Sequence, residues 1–408
     1  MKKILAFVLS IAVVFGMVTT ISACTSETPI VGLICLHDES STYDKNFIDA
    51  FEAACKAKGL KKGQWIIKTD VPEKGSDCKD TAEQFVKLGC KAIFADSFGH
   101  EDNMLEVAKK YPEVQFCHAT GVKAHTENLP NFHNAFASIY EGRYLAGVAA
   151  GLKLQEMIAA NKITDAMKEG ENIKIGYVGA YPYAEVKSGY TSWFLGVRSI
   201  VPNVVMKVKF TNEWYSMDKE LNTANYLISE QHCAIISQHA DSMGAPNACE
   251  AAGVPNVSYN GSTAASCPKT FIVSSRINWQ PYFELMIDAV TGGKALPTDW
   301  TGNISTGSVV LTELGAAAAA NTQAKIDEVK AKLLNGSLKV FDLSTFTVNG
   351  AALVDNFMAN VNDDAAFTPD TVVIKTTESG IKYFAESEFR SAPYFEVDID
   401  GITIIANN

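Results

Sequence analysis

Short apolar, β-branched runs alternate with amphipathic helical stretches along most of this chain, and that rhythm leaves few folds open to it. Residues 30–36 have the length and composition of a buried strand. Residues 44–58 follow with Phe47, Phe51, Ala54 and Cys55 on one helical stripe. Strands are then expected at 65–67, 91–96 and 114–118, and helices at 81–88 and 103–111. Parallel strands need such helical crossovers, so the pattern gives one doubly wound α/β unit. It then restarts. Helices at 138–154, 185–200, 218–230 and 243–252 alternate with strands at 173–178, 204–208, 234–237 and 254–259. A strand at 271–274, a helix with Trp279, Phe283, Ile287 and Val290 on one stripe, and an Ala-rich helix at 316–334 follow.

Two α/β units with a late-returning strand and helix resemble the type I periplasmic-binding-protein fold. That resemblance implies two Rossmann-like lobes joined by a three-segment hinge. Crossings are expected near 119–136, 259–275 and 300–308. The first lobe would then hold residues 30–120 and 275–300, and the second 121–274 and 301–370. Residues 371–408 read as a C-terminal extension of short strands and turns with no assigned role.

The N-terminus has the marks of an export signal. Lys2 and Lys3 precede an uncharged run from Ile4 to Ile21, and Ser22, Ala23 and Cys24 follow. This arrangement reads as a lipobox: residues 1–23 are a signal peptide, Cys24 takes the lipid, and 24–29 form a tether. The protein is thus expected at the extracytoplasmic face of the cell membrane, held there through its lipid alone. Loss of Lys2 and Lys3 takes the formal charge from −11 to −13. Such an acidic body argues against a nucleic-acid partner or attraction to anionic lipid. The cysteines beyond Cys24 show no CxxC pair and no zinc-like spacing with His, and several sit in apolar runs as buried thiols do. Unpaired thiols in an exported chain suggest an anaerobic habitat.

Ligands of open parallel sheets sit off the carboxyl ends of the strands. The segments that follow each strand here are rich in aromatics, carboxylates and amides, suited to a flat ring with several hydroxyls. They supply the candidate ligand-binding residues Asp44, Asn46, Phe47, Asp96, Ser97, His118, Trp214, Gln238, Asp241 and Asn278. Each has a plain alternative: Asp44 and Asp241 as helix caps, Phe47 as core. His37, His118 and His239 lack metal-ligand spacing, so no metal and no cofactor is expected. There is no GxSxG elbow, no phosphate-binding GxxxxGK[ST] loop and no GxGxxG after the first strand, which points to binding rather than catalysis.

Three segments carry a closer resemblance: Asp44-Lys45-Asn46-Phe47, Glu141-Gly142-Arg143-Tyr144-Leu145-Ala146-Gly147 and Ile175-Gly176-Tyr177-Val178-Gly179. They resemble the basic membrane protein (BMP) family, lipoprotein components of ABC importers best known for purine nucleosides, with relatives that bind riboflavin. The likeness implies that Phe47 and Trp214 sandwich the base and that Asp241 holds ribose hydroxyls. It also implies an ABC permease and ATPase as partners. The chain departs from the family where Asn278 stands in place of a Lys and where His118 falls near a lost Asp. Open alternatives are riboflavin, a modified nucleoside or a sugar as ligand, a sensor lipoprotein, and a nucleosidase-type hydrolase. Nothing in the sequence points beyond a monomer.

Overall fold

The computed structural model describes residues 28–359 and 371–406 of the chain. The expected signal peptide and the Cys24 lipidation site lie outside these residues. The first part of the chain runs β1 (Val31–Ile34), α1 (Thr42–Ala57), β2 (Trp65–Lys68), α2 (Asp77–Leu88), β3 (Ala92–Ala95), α3 (Glu101–Lys110), β4 (Gln115–Ala119), α4 (Ala124–Glu127) and β5 (Phe132–Ala137). The second runs α5 (Ile139–Ala159), β6 (Lys168–Glu169), β7 (Asn172–Gly179), α6 (Ala184–Arg198), β8 (Val204–Phe210), α7 (Met217–Ser229), β9 (Ile236–His239), α8 (Gly244–Ala252), β10 (Asn256–Tyr259) and β11 (Phe271–Ile277). Then come α9 (Gln280–Gly292), β12 (Asp299–Gly302), β13 (Val309–Leu311) and α10 (Thr322–Leu334). Two small hairpins, β14 (Met358–Ala359) with β15 (Thr371–Val372) and β16 (Ile374–Thr376) with β17 (Lys382–Phe384), lead to β18 (Ile402–Ile405).

Local chemistry explains the boundaries. Ser41 caps α1 by accepting from the Asp44 N–H. Gly89, at φ 109°, closes α2 in the left-handed region that only glycine enters freely. β1 is buried along its whole length because helices cover both faces of its sheet. The Cα of Gly32 faces the ring of Phe85 so closely that a Cβ would sit 2.4 Å from it.

The elements make two sheets. The first has the order β12-β5-β4-β3-β1-β2, parallel throughout. The second runs β13-β11-β10-β9-β7-β8-β18, with β6 beside β7 off that path, and is parallel except for β13 and β6. The chain passes between the lobes three times: from β5 to α5, from β11 to α9, and from β12 to β13.

The lobe boundaries differ from the expected ones. Residues 132–137, expected at the edge of a hinge crossing and in the second lobe, form an inner strand of the first sheet. Its buried His133 and Asn134 break the apolar signal of a strand, yet both are satisfied. His133 reaches the Pro297 carbonyl and Gln115, while Asn134 accepts from the Ala124 N–H and donates to Glu101. Likewise Ser275, Arg276 and Ile277 stay in the second sheet, paired with β13. The Ala-rich helix begins at Thr322, later than expected.

The C-terminal extension is part of the second lobe. β18 adds to the sheet edge beside β8, Ile402 opposite Met206. Phe384, Tyr394 and Phe395 are buried, with Phe395 stacked 4.3 Å from Phe341. The extension also reaches the first lobe, where the Ser391 N–H donates to Asp299 of β12 at 2.6 Å. All eight cysteines among the described residues are free and buried. No helix of the described residues is long and apolar enough to cross a membrane.

Candidate functional site

The carboxyl ends of both sheets face one cleft. From the first lobe, Leu36 and His37 follow β1, Tyr43 and Asp44 open α1, Ser97 and Phe98 follow β3, and Thr120 follows β4. From the second lobe come Glu185 at the start of α6, Trp214 beyond β8, and His239 and Asp241 at the end of β9. The cavity they enclose is narrow, about 30 Å3. Thr120, a β-branched residue, sits in this wall at φ 60°, a strained backbone of the kind that gathers at functional sites.

On the first-lobe side Asp44 accepts from the His37 N–H at 2.8 Å and from the Ser41 hydroxyl at 2.6 Å. Burial works to raise its pKa, but the hydrogen bonds from His37 and Ser41 hold it below the ordinary carboxylate value. Beneath it lies Asp96, fully buried, whose Oδ1 accepts from the Leu36 N–H at 3.1 Å. Burial, and then the charge of Asp44, push Asp96 well upward. Its Oδ2 has no hydrogen-bond partner among the described residues. Cys35, Asp44 and Asp96 bring ligand atoms within 4.8 Å of one another, the one such metal-capable group among the described residues.

The second-lobe wall is built differently. Trp214 packs against Tyr181 and Tyr183, with ring centroids 5.0 and 5.9 Å away. Its carbonyl accepts from the Asp241 N–H at 3.0 Å, which fixes the two residues side by side. Asp241 is 6% exposed, and no group of the described residues hydrogen-bonds its carboxylate. Burial, then Asp44 across the cleft, raise it well above the ordinary value. Glu185 is held by His239 Nε2 at 3.1 Å and, more loosely, by the Tyr259 hydroxyl at 3.5 Å. Behind them Arg143 lies over the Tyr259 ring at 3.8 Å and donates to the Gln238 carbonyl.

Of the residues expected in the site, Asp44, Ser97, Trp214 and Asp241 line the cleft. The others stand behind it. Phe47 is fully buried and stacks on Trp279 at 4.4 Å, in the aromatic core under α1. Asn46 ties α1 to the hinge, donating to the Ile277 carbonyl at 2.6 Å and accepting from Arg276. His118 is buried behind the wall, 2.7 Å from the Ser97 carbonyl, and burial lowers it to about 4, so it stays neutral. Gln238 accepts from Asn256 within the sheet. Asn278 bridges to the Gly307 carbonyl at the β12–β13 crossing, away from the cleft. The ring that α1 does present is Tyr43, one turn earlier, its hydroxyl on the Asp96 carbonyl at 2.8 Å. Leu36, His37, Tyr43, Phe98, Thr120, Glu185 and His239 also line the cleft and were not among the expected ligand-binding residues. A signal for Tyr43 existed, since it falls one helical turn before Phe47 on the same stripe.

Two doubly wound lobes, three crossings and a site between facing strand ends define a type I periplasmic-binding-protein fold. Solved structures agree on the fold. An ABC transporter solute-binding protein from Aeropyrum pernix matches 77% of this chain and 93% of its own at TM-score 0.64 and 16% identity. One from Conexibacter woesei matches 76% and 98% at 0.60 and 19%. A transcriptional activator of the comK gene from Bacillus halodurans matches 76% and 99% at 0.59 and 16%, so the fold alone does not fix the role. Residues 33–344 match the family model for PnrA-like ABC transporter substrate-binding proteins, and the chain belongs to that family, the basic membrane proteins. A putative ABC transporter glucose-binding protein of Haloferax volcanii is 31% identical over 66% of this chain and 64% of its own. A purine-binding protein of Brucella abortus is 33% identical over 54% and 57%. The matches thus span less than two thirds of either relative.

Proposed function

We propose that this protein is the extracytoplasmic, lipid-anchored binding component of an ABC importer and that it takes a nucleoside, purine by preference, into the interlobe cleft. The observation that carries this reading is the polar set of the cleft. Asp44, Glu185 and Asp241 line it, and no Lys or Arg is among the lining residues. Such a wall suits a neutral ligand rich in donors and disfavours a phosphate. Trp214 and Tyr43 offer ring faces to a flat base, and the bare carboxylate of Asp241 accepts from sugar hydroxyls. The name of the Brucella relative agrees with a purine. The name of the Haloferax relative supports a second reading, a hexose whose hydroxyls meet the same carboxylates.

A ligand that touches both walls is bound fully only when the lobes are together, so it shifts the hinge toward closure. The closed form then docks on a permease, and separate ATPase subunits drive release. Cys24 supplies the anchor in this reading, and mass spectrometry of the membrane-extracted protein tests it by the mass of acyl groups on the N-terminal cysteine. The ligand is tested by thermal shift with adenosine, inosine, guanosine, the free bases, riboflavin and glucose. Stabilisation by nucleosides but not by free bases supports the proposal. Stabilisation by glucose or riboflavin alone overturns the nucleoside while leaving the importer role in place.

A further inference from the structure

The cleft does not end at Trp214. A second space of about 230 Å3 adjoins it, and Phe98, Thr120, Glu185 and Trp214 line both. We propose that this outer chamber is a second ligand subsite, which takes a neutral aromatic or apolar substituent carried by the nucleoside; the proposal rests on the nucleoside reading of the inner cleft.

The outer wall comes from the C-terminal extension. Arg390, Ala392, Pro393 and Glu396 line it opposite Val122 and Pro182. The family match ends at residue 344, so this wall lies beyond the part of the chain that the family model describes. The wall is held in place from both sides. Ser391 donates to Asp299 of the first lobe at 2.6 Å. Glu386 accepts from Ser188 and Asp398 pairs with Lys187, both on α6 of the second lobe.

Its lining is mixed, with the rings of Phe98, Tyr183 and Trp214 beside Glu185, Arg390 and Glu396. Phe98 and Tyr183 stand at the rim with centroids 5.8 Å apart, one from each lobe, and are 44% and 46% exposed. Exposed aromatic faces beside a binding cleft are surface that a ligand can cover. Arg390 does not make the chamber an anion site. It is 7% exposed, and its guanidinium donates to the Ala392 and Pro393 carbonyls of its own turn at 3.2 and 3.5 Å. Glu396 adds a negative charge on the outer edge.

Calorimetric titration of the protein with adenosine, N6-benzyladenosine, 5′-benzylthio-5′-deoxyadenosine and AMP tests the subsite. At least one benzyl derivative is expected to bind about threefold to tenfold more tightly than adenosine, the gain of one added aromatic contact. Glu396→Trp fills the chamber from an exposed position; it should abolish that gain and leave adenosine unchanged. Tyr183→Ala removes a rim ring and should also reduce the gain. The subsite is refuted if adenosine binds but neither derivative gains, if the gain survives Glu396→Trp, or if AMP binds more tightly than adenosine. Failure of adenosine and both derivatives together refutes the nucleoside reading itself.

Discussion

Trp214 and Asp241 are joined through one backbone hydrogen bond, so a flat ring face and a bare carboxylate reach the cleft together. If a base stacks on Trp214, the contact is worth about 1–3 kcal/mol by analogy with nucleic-acid stacking. Trp214→Ala should then weaken nucleoside binding about tenfold or more, read by calorimetry; unchanged affinity would remove Trp214 from the ligand site. Two other carboxyls report on folding instead. Burial raises Glu220 and Glu386 to about 7 from an ordinary 4.5. Between those values the folded state holds protons that the unfolded state has lost, so stability falls as the pH rises through the interval. Glu386→Gln should therefore flatten the decline of melting temperature between about pH 5 and about pH 8. An undiminished slope in the variant would show that Glu386 is not the titrating group. At this scale the sequence singled out Trp214 in a polar loop and Asp241 after a strand, with a helix cap as the plain alternative for Asp241, and both line the cleft. It could not separate Phe47 from Tyr43. Both lie on one stripe of α1, and only the packing of Trp279 against Phe47 decides which ring is core.

Helix α5 shows what a sequence signal at the level of an element is worth. The small residues of the Glu141 to Gly147 segment let α5 pack closely, and the structure uses Gly147 so. A Cβ on Gly147 would meet the Trp193 carbonyl at 2.2 Å, and one on Gly196 of α6 would meet the Tyr144 carbonyl at the same distance. Gly147→Ala should thus cost about 1–3 kcal/mol or more in urea unfolding, since backbone cannot yield as a side chain can. A loss below about 0.5 kcal/mol would mean that the two helices part easily. The strand–helix alternation was legible because each element buries an apolar face of its own. β5 was not, because its inner positions are His133 and Asn134, whose partners lie in Pro297, Gln115, Ala124 and Glu101. β18 was hidden for another reason. Its register with β8 joins residues 402 and 206, a pairing that no local pattern announces.

For the whole molecule the question is what keeps two touching lobes from closing without cargo. In this structure they meet at Thr42, whose N–H donates to the Asp241 carbonyl at 3.0 Å, and at the His37 and Tyr215 rings, 5.3 Å apart. The Phe98 and Tyr183 rings, 5.8 Å apart, and the Ser391 N–H on Asp299 add to those contacts. Against them stands the cleft charge. Asp241 faces Asp44, Glu220 and Glu185, relieved only by Arg143, and its raised pKa is the cost of burying that carboxylate. An ionised Asp241 opposes closure until donors arrive, and sugar hydroxyls are such donors. A proton does the same, so lower pH should favour the closed form even without ligand. Asp241→Asn removes the charge while keeping the shape. The ligand-free variant should then show a smaller radius of gyration in X-ray scattering than the ligand-free parent at neutral pH, and nucleoside should contract it little further. Equal radii would mean that the carboxylate is not what holds the lobes apart, and that closure is governed at the three hinge crossings instead.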